Sequence, residues 1–298
     1  MSLEQYLAGR YTALTARNYA FEIGRYLARC GGEESARRAT YADLVGELER
    51  LRGRYPNPPT VHRILAAIRC YYRYLVASGQ RGDQPAHRLR LVDGARRGRR
   101  PQLQDLLSAA ELRLLLQPRA ERYGRLGLRN RVIIGLLVHQ ALTGREAAGL
   151  TTGDVDLYAA GLRVRGCGGT VDRRLKLAAD QILPLHEYLV RDRPRLLAEA
   201  PPTDHLILTG RGTPERGEGI AYLVETLRPR VPDRRLTATV IRQSVIAGKL
   251  RAGEDLRSVQ VFAGHRYISS TEHYRELNLA ELRWAVARYH PLDNSPVN

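Results

Sequence analysis

Apolar residues recur at helical spacing through the first quarter of the chain. From Leu3 to about Leu27 the series Leu3, Tyr6, Leu7, Leu14, Tyr19, Ile23, Tyr26 and Leu27 predicts helix, with Thr12 or Thr15 available as a cap. Cys30-Gly31-Gly32 ends that pattern. A second helix runs from Thr40 to Leu51, with Tyr41, Leu44, Leu48 and Leu51 on one side. Pro56-Asn57-Pro58-Pro59 then breaks the chain. Thr60 is the expected cap of a third helix, Val61 to Ala77, which carries Ile64, Leu65, Ile68, Tyr71, Tyr72 and Leu75. This part of the chain reads as an all-α module.

The hydrophobic period disappears from Asp83 to Pro101, as expected of an exposed connection. Beyond it, Ser108 and Glu111 have capping-box spacing and open a helix through Leu112, Leu115 and Leu116. From about Asn130 to Gln140 the residues are apolar nearly all round, which predicts a helix buried at the centre of its domain. The period then shortens to two. Gly161 to Arg165 and Arg173 to Leu177, separated by Gly166-Cys167-Gly168-Gly169-Thr170, predict a β-hairpin with Lys176 facing away from Leu175 and Leu177. Further helices are expected over Leu183 to Val190 and Ile220 to Leu227, with Leu206-Ile207-Leu208 a short strand or turn. Asn278 and Glu281 again have capping-box spacing and would open a last helix, Leu279 to Tyr289. The pattern is mainly α with a small β-hairpin, an α+β second domain following a helical first one. Its domains are 1–90, a basic linker 91–105, and 106–298.

A length of 298 residues suits two domains, and a formal net charge of +17 favours a polyanionic partner, nucleic acid before an acidic membrane surface. Lys176 and Lys249 are the only lysines, so almost all the positive charge is guanidinium, which binds phosphate oxygens through a rigid fork. GC-rich coding or adaptation to heat would produce the same bias. Along the linker, Arg88, Arg90, Arg96, Arg97, Arg99 and Arg100 are candidates to track a phosphate backbone by counterion release. Cys30, Cys70 and Cys167 are few, odd in number and widely spaced, which suits reduced thiols and argues against a disulfide framework or a metal site. No apolar signal core opens the chain and no stretch reaches membrane-spanning length, so a cytoplasmic protein beside the chromosome is expected.

The chemistry concentrates between Arg242 and Tyr274. Arg242, His265 and Tyr274 place a cation, an imidazole and a phenol at separations of 23 (265 − 242) and 9 (274 − 265) residues. Together such groups hold a phosphate, move a proton and attack phosphorus. Arg242-Gln243-Ser244, the segment Gly253 to Gln260, Gly264-His265 and Tyr274, with Gly153-Asp154-Val155-Asp156 upstream, resemble the tyrosine recombinase family of phage-integrase and Xer-type enzymes. That resemblance implies a helical core-binding domain and a catalytic domain closing as a C-shaped clamp on double-stranded DNA. It implies Tyr274 as the nucleophile of a covalent 3′-phosphotyrosyl link, Arg242 on the non-bridging oxygens, and His265 as hydrogen-bond donor or proton carrier. It further implies chemistry without metal, ATP or other cofactor, and a tetramer on two DNA sites built from a monomer or weak dimer.

Three positions depart from the family pattern. Where the family carries an arginine three residues before a glutamate, Thr143 precedes Glu146, and Arg145 is the candidate replacement. The family's hairpin lysine falls near Val171, which leaves Lys176 as the candidate there. Three residues before Arg242 the family's histidine or lysine is Thr239, which can hydrogen-bond phosphate but donates no proton near neutral pH. The candidate catalytic set is therefore Tyr274, Arg242, His265, Arg145, Lys176 and Thr239. A catalytically reduced relative, acting as a DNA-binding or regulatory factor, is the competing reading. Trp284 is expected to pack on the last helix.

Overall fold

The computed structural model of the protein describes residues 1–56, 58–89, 105–119, 124–198 and 200–274. The chain divides into two compact units, Met1–Arg100 and Pro101–Asn298. Arg88 is described and exposed, whereas Arg90, Arg96, Arg97, Arg99 and Arg100 lie outside the described residues. So do Asn278, Glu281, Trp284 and the expected last helix.

In the first unit the periodic stretch from Leu3 to Leu27 is two helices, α1 (Leu3–Ala8) and α2 (Ala13–Arg29). Thr12 caps the second, its hydroxyl accepting from the Thr15 N–H. Leu7 and Leu14 are seven residues apart, two turns of helix, so the apolar phase carries across the break and conceals it. Gly31 and Gly32, at φ of 81° and 116°, turn the chain into α3 (Glu33–Arg38). The apolar pattern gives no sign of α3, because Ala36 is its one buried residue. Next comes α4 (Tyr41–Arg54), opened by a capping box between Thr40 and Asp43. Leu44, Leu48 and Leu51 bury one side of it, while Tyr41 stays exposed. Finally α5 (Pro58–Ala77) begins before Thr60, which is therefore not its cap. Prolines suit a first helical turn, where the missing N–H has no intrahelical acceptor.

Tyrosines knit this bundle. The Tyr26 and Tyr72 hydroxyls are 2.6 Å apart, and Tyr72 donates to the Ala36 carbonyl at 2.8 Å, which ties α3 to α5. Two carboxylates, Glu22 and Glu47, are buried and paired with Arg63 at 2.8 Å and Arg29 at 2.7 Å. Part of the first unit's positive charge thus balances its own interior.

The second unit is built round α7. After α6 (Ala109–Leu116), capped by Ser108 and Glu111 as the spacing predicts, α7 (Gly127–His139) buries Val132, Ile133, Leu136 and Leu137. Short α8 (Gly144–Ala148) leads to an antiparallel sheet of β1 (Val155–Asp156), β2 (Gly161–Val164) and β3 (Arg173–Lys176) in sequence order. In its register Leu162 faces Leu175 and Val164 faces Arg173. The hairpin is the expected one; β1, at two residues, is too short to show alternation. The helix expected over Leu183 to Val190 spans a junction: α9 (Ala179–Glu187) opens into a wider turn at Tyr188–Asp192 and resumes as α10 (Arg193–Leu197). Buried Tyr188 donates to the Leu206 carbonyl at 3.0 Å and so holds the 206–208 segment. The unit continues through α11 (Gly217–Glu225), α12 (Ala238–Arg251) and α13 (Leu256–Ala263). α6, α9, α11 and α12 all pack on α7. Among the described residues no helix is long and apolar enough to cross a membrane.

Ser244, at the middle of α12, fastens the approach to α6. Its buried hydroxyl accepts from the Leu107 N–H and donates to the Val240 carbonyl, both at 2.8 Å. Ser244→Ala strands a buried N–H, so urea unfolding should show a loss of about 1–3 kcal/mol. An unchanged midpoint would mean that this fastening adds nothing to stability.

Candidate active site

Arg242 projects from α12 into the interior, 7% exposed. Its Nη1 donates to the Ala141 carbonyl at 2.6 Å and its Nη2 to the Ala263 carbonyl at 2.5 Å. Ala141 lies just beyond the end of α7 and Ala263 is the last residue of α13. Carbonyls at helix C-termini lack intrahelical donors and carry partial negative charge, so two helix ends converge on one guanidinium. Ala141 has a φ of 51°, a left-handed conformation that side chains other than glycine rarely adopt, and Arg242 bonds to that strained turn. Burial pulls the Arg242 pKa down and the Glu146 carboxylate pulls it back up.

Glu146 sits at the third position of α8. Its Oε2 accepts from the Thr143 N–H at 2.8 Å, the reciprocal half of a capping box in which Thr143 caps the Glu146 N–H. Its Oε1 accepts from the Thr170 hydroxyl at 2.8 Å and from Arg173 Nη1 at 2.6 Å. Arg242 Nη1 stands 3.9 Å from Oε2. Burial raises this carboxyl, but Arg173 outweighs it, with help from the Thr143 N–H and the Thr170 hydroxyl, and Glu146 stays below the ordinary carboxylate range.

α13 delivers His265. Its C-terminus is closed by Gly264 at φ 69°, where an added Cβ would lie 2.6 Å from Arg173 Nη1, so both conformation and space require glycine. The hairpin tip docks on this turn through the Val171 N–H, which donates to the Gly264 carbonyl at 2.9 Å. The His265 backbone is pinned at both ends by Gln260, and its Nδ1 lies 2.9 Å from the hydroxyl of fully buried Thr271. Burial, then the charges of Arg242 and Arg173, push the imidazole down to about 4 against the opposing pull of Glu146. His265 is therefore neutral at neutral pH.

Tyr274 closes the cluster, 8% exposed, its ring parallel to that of His265 within 10° at a centroid distance of 6.3 Å. Burial raises the phenol's pKa, while Arg242 and the Gln243 side chain lower it. Arg242, His265 and Tyr274 thus come together, and Glu146 and Arg173 join them. The other candidates stand apart. Arg145 is exposed on α8, forms no hydrogen bond or ion pair with a described residue, and has its Cγ 3.8 Å from where a Cβ on Gly217 would lie. Lys176 is exposed on β3 on the face opposite Arg173, and the three-residue offset puts it ~10 Å along the strand from it. Thr239 is exposed one turn before Arg242 on α12. Sequence reasoning missed Arg173, Thr170 and Thr271. The same alternation that turns Lys176 outward turns Arg173 inward beside Leu175, and that signal was available.

The model of the phage integrase family matches residues 103–281. The chain belongs to this family. Its similar relatives include the tyrosine recombinase XerD of Halalkalibacterium halodurans, 26% identical over 93% of this chain and 91% of that one. XerC of Pelobacter propionicus is 29% identical over 78% and 74%. Among solved structures, the XerH site-specific recombinase bound to palindromic difH substrate, a post-cleavage complex, has a TM-score of 0.73 over 93% of this chain and 80% of that one, at 20% identity. The Tn1549 transposon integrase in complex with transposon right end DNA has a TM-score of 0.66 over 97% and 100%, at 16% identity. These establish the fold of a tyrosine recombinase. In this integrase-family chain, Thr143, expected from the sequence to stand where the family carries its first arginine, serves as the cap of α8.

The imidazole of His265 titrates near 4 in the folded chain and near its ordinary 6.5 when unfolded, so between those values the unfolded chain binds more protons. Stability is then full above pH 6.5 and falls as the pH drops from 6.5 towards 4. Denaturation of His265→Asn should show a shallower fall than wild type over this window. Parallel curves would contradict the assigned environment.

Proposed function

We propose that the chain is a site-specific DNA recombinase that breaks and rejoins strands through a covalent bond between Tyr274 and a 3′ phosphate. The observation that carries this reading is the meeting of Arg242, His265 and Tyr274 in one buried cluster. The Tyr274 oxygen attacks phosphorus, the bond to the 5′ oxygen breaks, the phenol loses its proton and the departing 5′ oxygen gains one. A raised phenol pKa means that the proton is still present when attack begins, so a base must take it. Neutral His265 beside Tyr274 is suited to that work, and the negative phosphate would raise its affinity for the proton. Arg242 offers a charge already fixed in place and desolvated for the oxygens of the transition state. Because the phosphodiester energy is kept in the protein–DNA link, rejoining is the same step reversed.

Double-stranded DNA as partner is supported by the net charge of +17 and by the DNA complexes of XerH and the Tn1549 integrase. Action as a tetramer on two sites, with the first unit and the linker arginines gripping the duplex, belongs to the same reading. Arg145, exposed and without a partner among the described residues, immediately precedes Glu146 and is assigned a contact to the scissile phosphate.

The test uses a nicked suicide duplex built on the sequence that the chain itself selects from a random pool. Wild type should give a covalent protein–DNA band on a denaturing gel, and Tyr274→Phe should give none while retaining affinity. Binding with no wild-type band would overturn the cleavage reading in favour of a DNA-binding factor. On the same substrate Arg145→Ala should lower the band's rate of formation on the order of 100-fold and spare binding. A wild-type rate would remove Arg145 from the site.

A further inference from the structure

Glu146 has two guanidiniums within reach, and they are not equivalent. Arg173 Nη1 lies 2.6 Å from Oε1 and Arg242 Nη1 lies 3.9 Å from Oε2. The Glu146 and Arg173 side chains are almost wholly enclosed, at 0% and 2% exposure, so neither charge has solvent to fall back on. From this geometry we propose that Arg173 is a positioning residue for strand cleavage: it neutralises Glu146 and thereby keeps Arg242 on the Ala141 and Ala263 carbonyls, its charge free for phosphate. The proposal rests on the cleavage reading above.

A buried carboxylate without a counter-ion draws in the nearest cation. If Arg173 were absent, that cation would be Arg242, already the next closest. An Arg242–Glu146 ion pair would turn the guanidinium from the two helix ends and cancel the charge that a phosphate needs. Arg173 also bears directly on the turn that presents His265, through the contact with Gly264 that leaves no room for a Cβ. Among the described residues its Nε and Nη2 are buried without a hydrogen-bond partner, and Glu146 is the acceptor that holds its Nη1. Being enclosed, Arg173 does not touch the substrate, and its effect runs through Glu146. A chain with Thr143 at the first-arginine position depends the more on Arg242, and hence on whatever keeps it free.

The decisive comparison is between Arg173→Met and the double variant Arg173→Met/Glu146→Gln, in the full chain, with rates corrected for the folded fraction. Arg173→Met should slow covalent band formation on the order of 100-fold with DNA affinity kept. The double variant, having no carboxylate to capture Arg242, should recover to within about 10-fold of wild type. Arg173→Lys, which keeps the charge but not the fork, should fall between them. A double variant as slow as Arg173→Met would overturn the proposal, since loss of packing or of positive charge is not undone by removing Glu146. A second measurement needs no DNA: the His265 imidazole followed by NMR. The groups facing it are Arg242, Arg173, Glu146, Tyr274 and the Thr271 hydroxyl. Its titration midpoint should rise in Arg173→Met, where one of the two guanidinium charges that hold it down is gone, and return towards the wild-type value in the double variant, where the opposing carboxylate charge is gone too. Equal midpoints in all three chains would overturn the proposal even if wild type forms no covalent band, an outcome that would separately sink the cleavage reading.

Discussion

A single carboxylate organises the second unit's functional end. Glu146 caps its own helix, accepts from Thr170 and Arg173 on the hairpin, and lies next to Arg242. Removing that charge from water is expensive, and only the convergence of several donors makes it tolerable. The hairpin tip, the start of α8 and the interior of α12 must therefore meet. Their meeting fixes the turn at Gly264 and, one residue on, His265.

Much of the surrounding architecture consists of unsatisfied helix ends put to use. The carbonyls beyond α7 and at the end of α13 have no helical donors, and Arg242 supplies them. The apolar, all-round burial of α7 aims one of those ends at the site, and the cap at Gly264 aims the other. The price of the arrangement is a left-handed alanine at 141 and a guanidinium with almost no exposure to water. Both are tolerable where a fixed, desolvated positive charge is what the chemistry needs.

The fold was largely legible in the sequence because its elements carry their own signals. The capping box at Ser108, the all-round apolar run of α7 and the two-residue period of the hairpin each name one element, and each is present. The break between α1 and α2 was hidden because Leu7 and Leu14 stay in phase across it, and α3 because it buries one alanine. In the site, Arg242, His265 and Tyr274 were legible from spacing and resemblance, as both act over short chain distances. Arg173 was not recognised, because its role depends on a hairpin folding against α8 and α13, a relation between distant segments that no local pattern states. Lys176 and Arg145 were chosen as substitutes for missing groups by residue type; the outward face of β3 turns Lys176 from the buried cluster, and Arg145 is exposed on α8, where its proposed phosphate contact needs bound DNA.

The central claim is that the Tyr274 oxygen becomes bonded to DNA. Digestion of the covalent protein–DNA product followed by mass spectrometry tests it most directly, by locating the residue that retains a nucleotide. The account predicts the modification on Tyr274 alone. A nucleotide on exposed Tyr267, on another tyrosine, or on no tyrosine at all would contradict it.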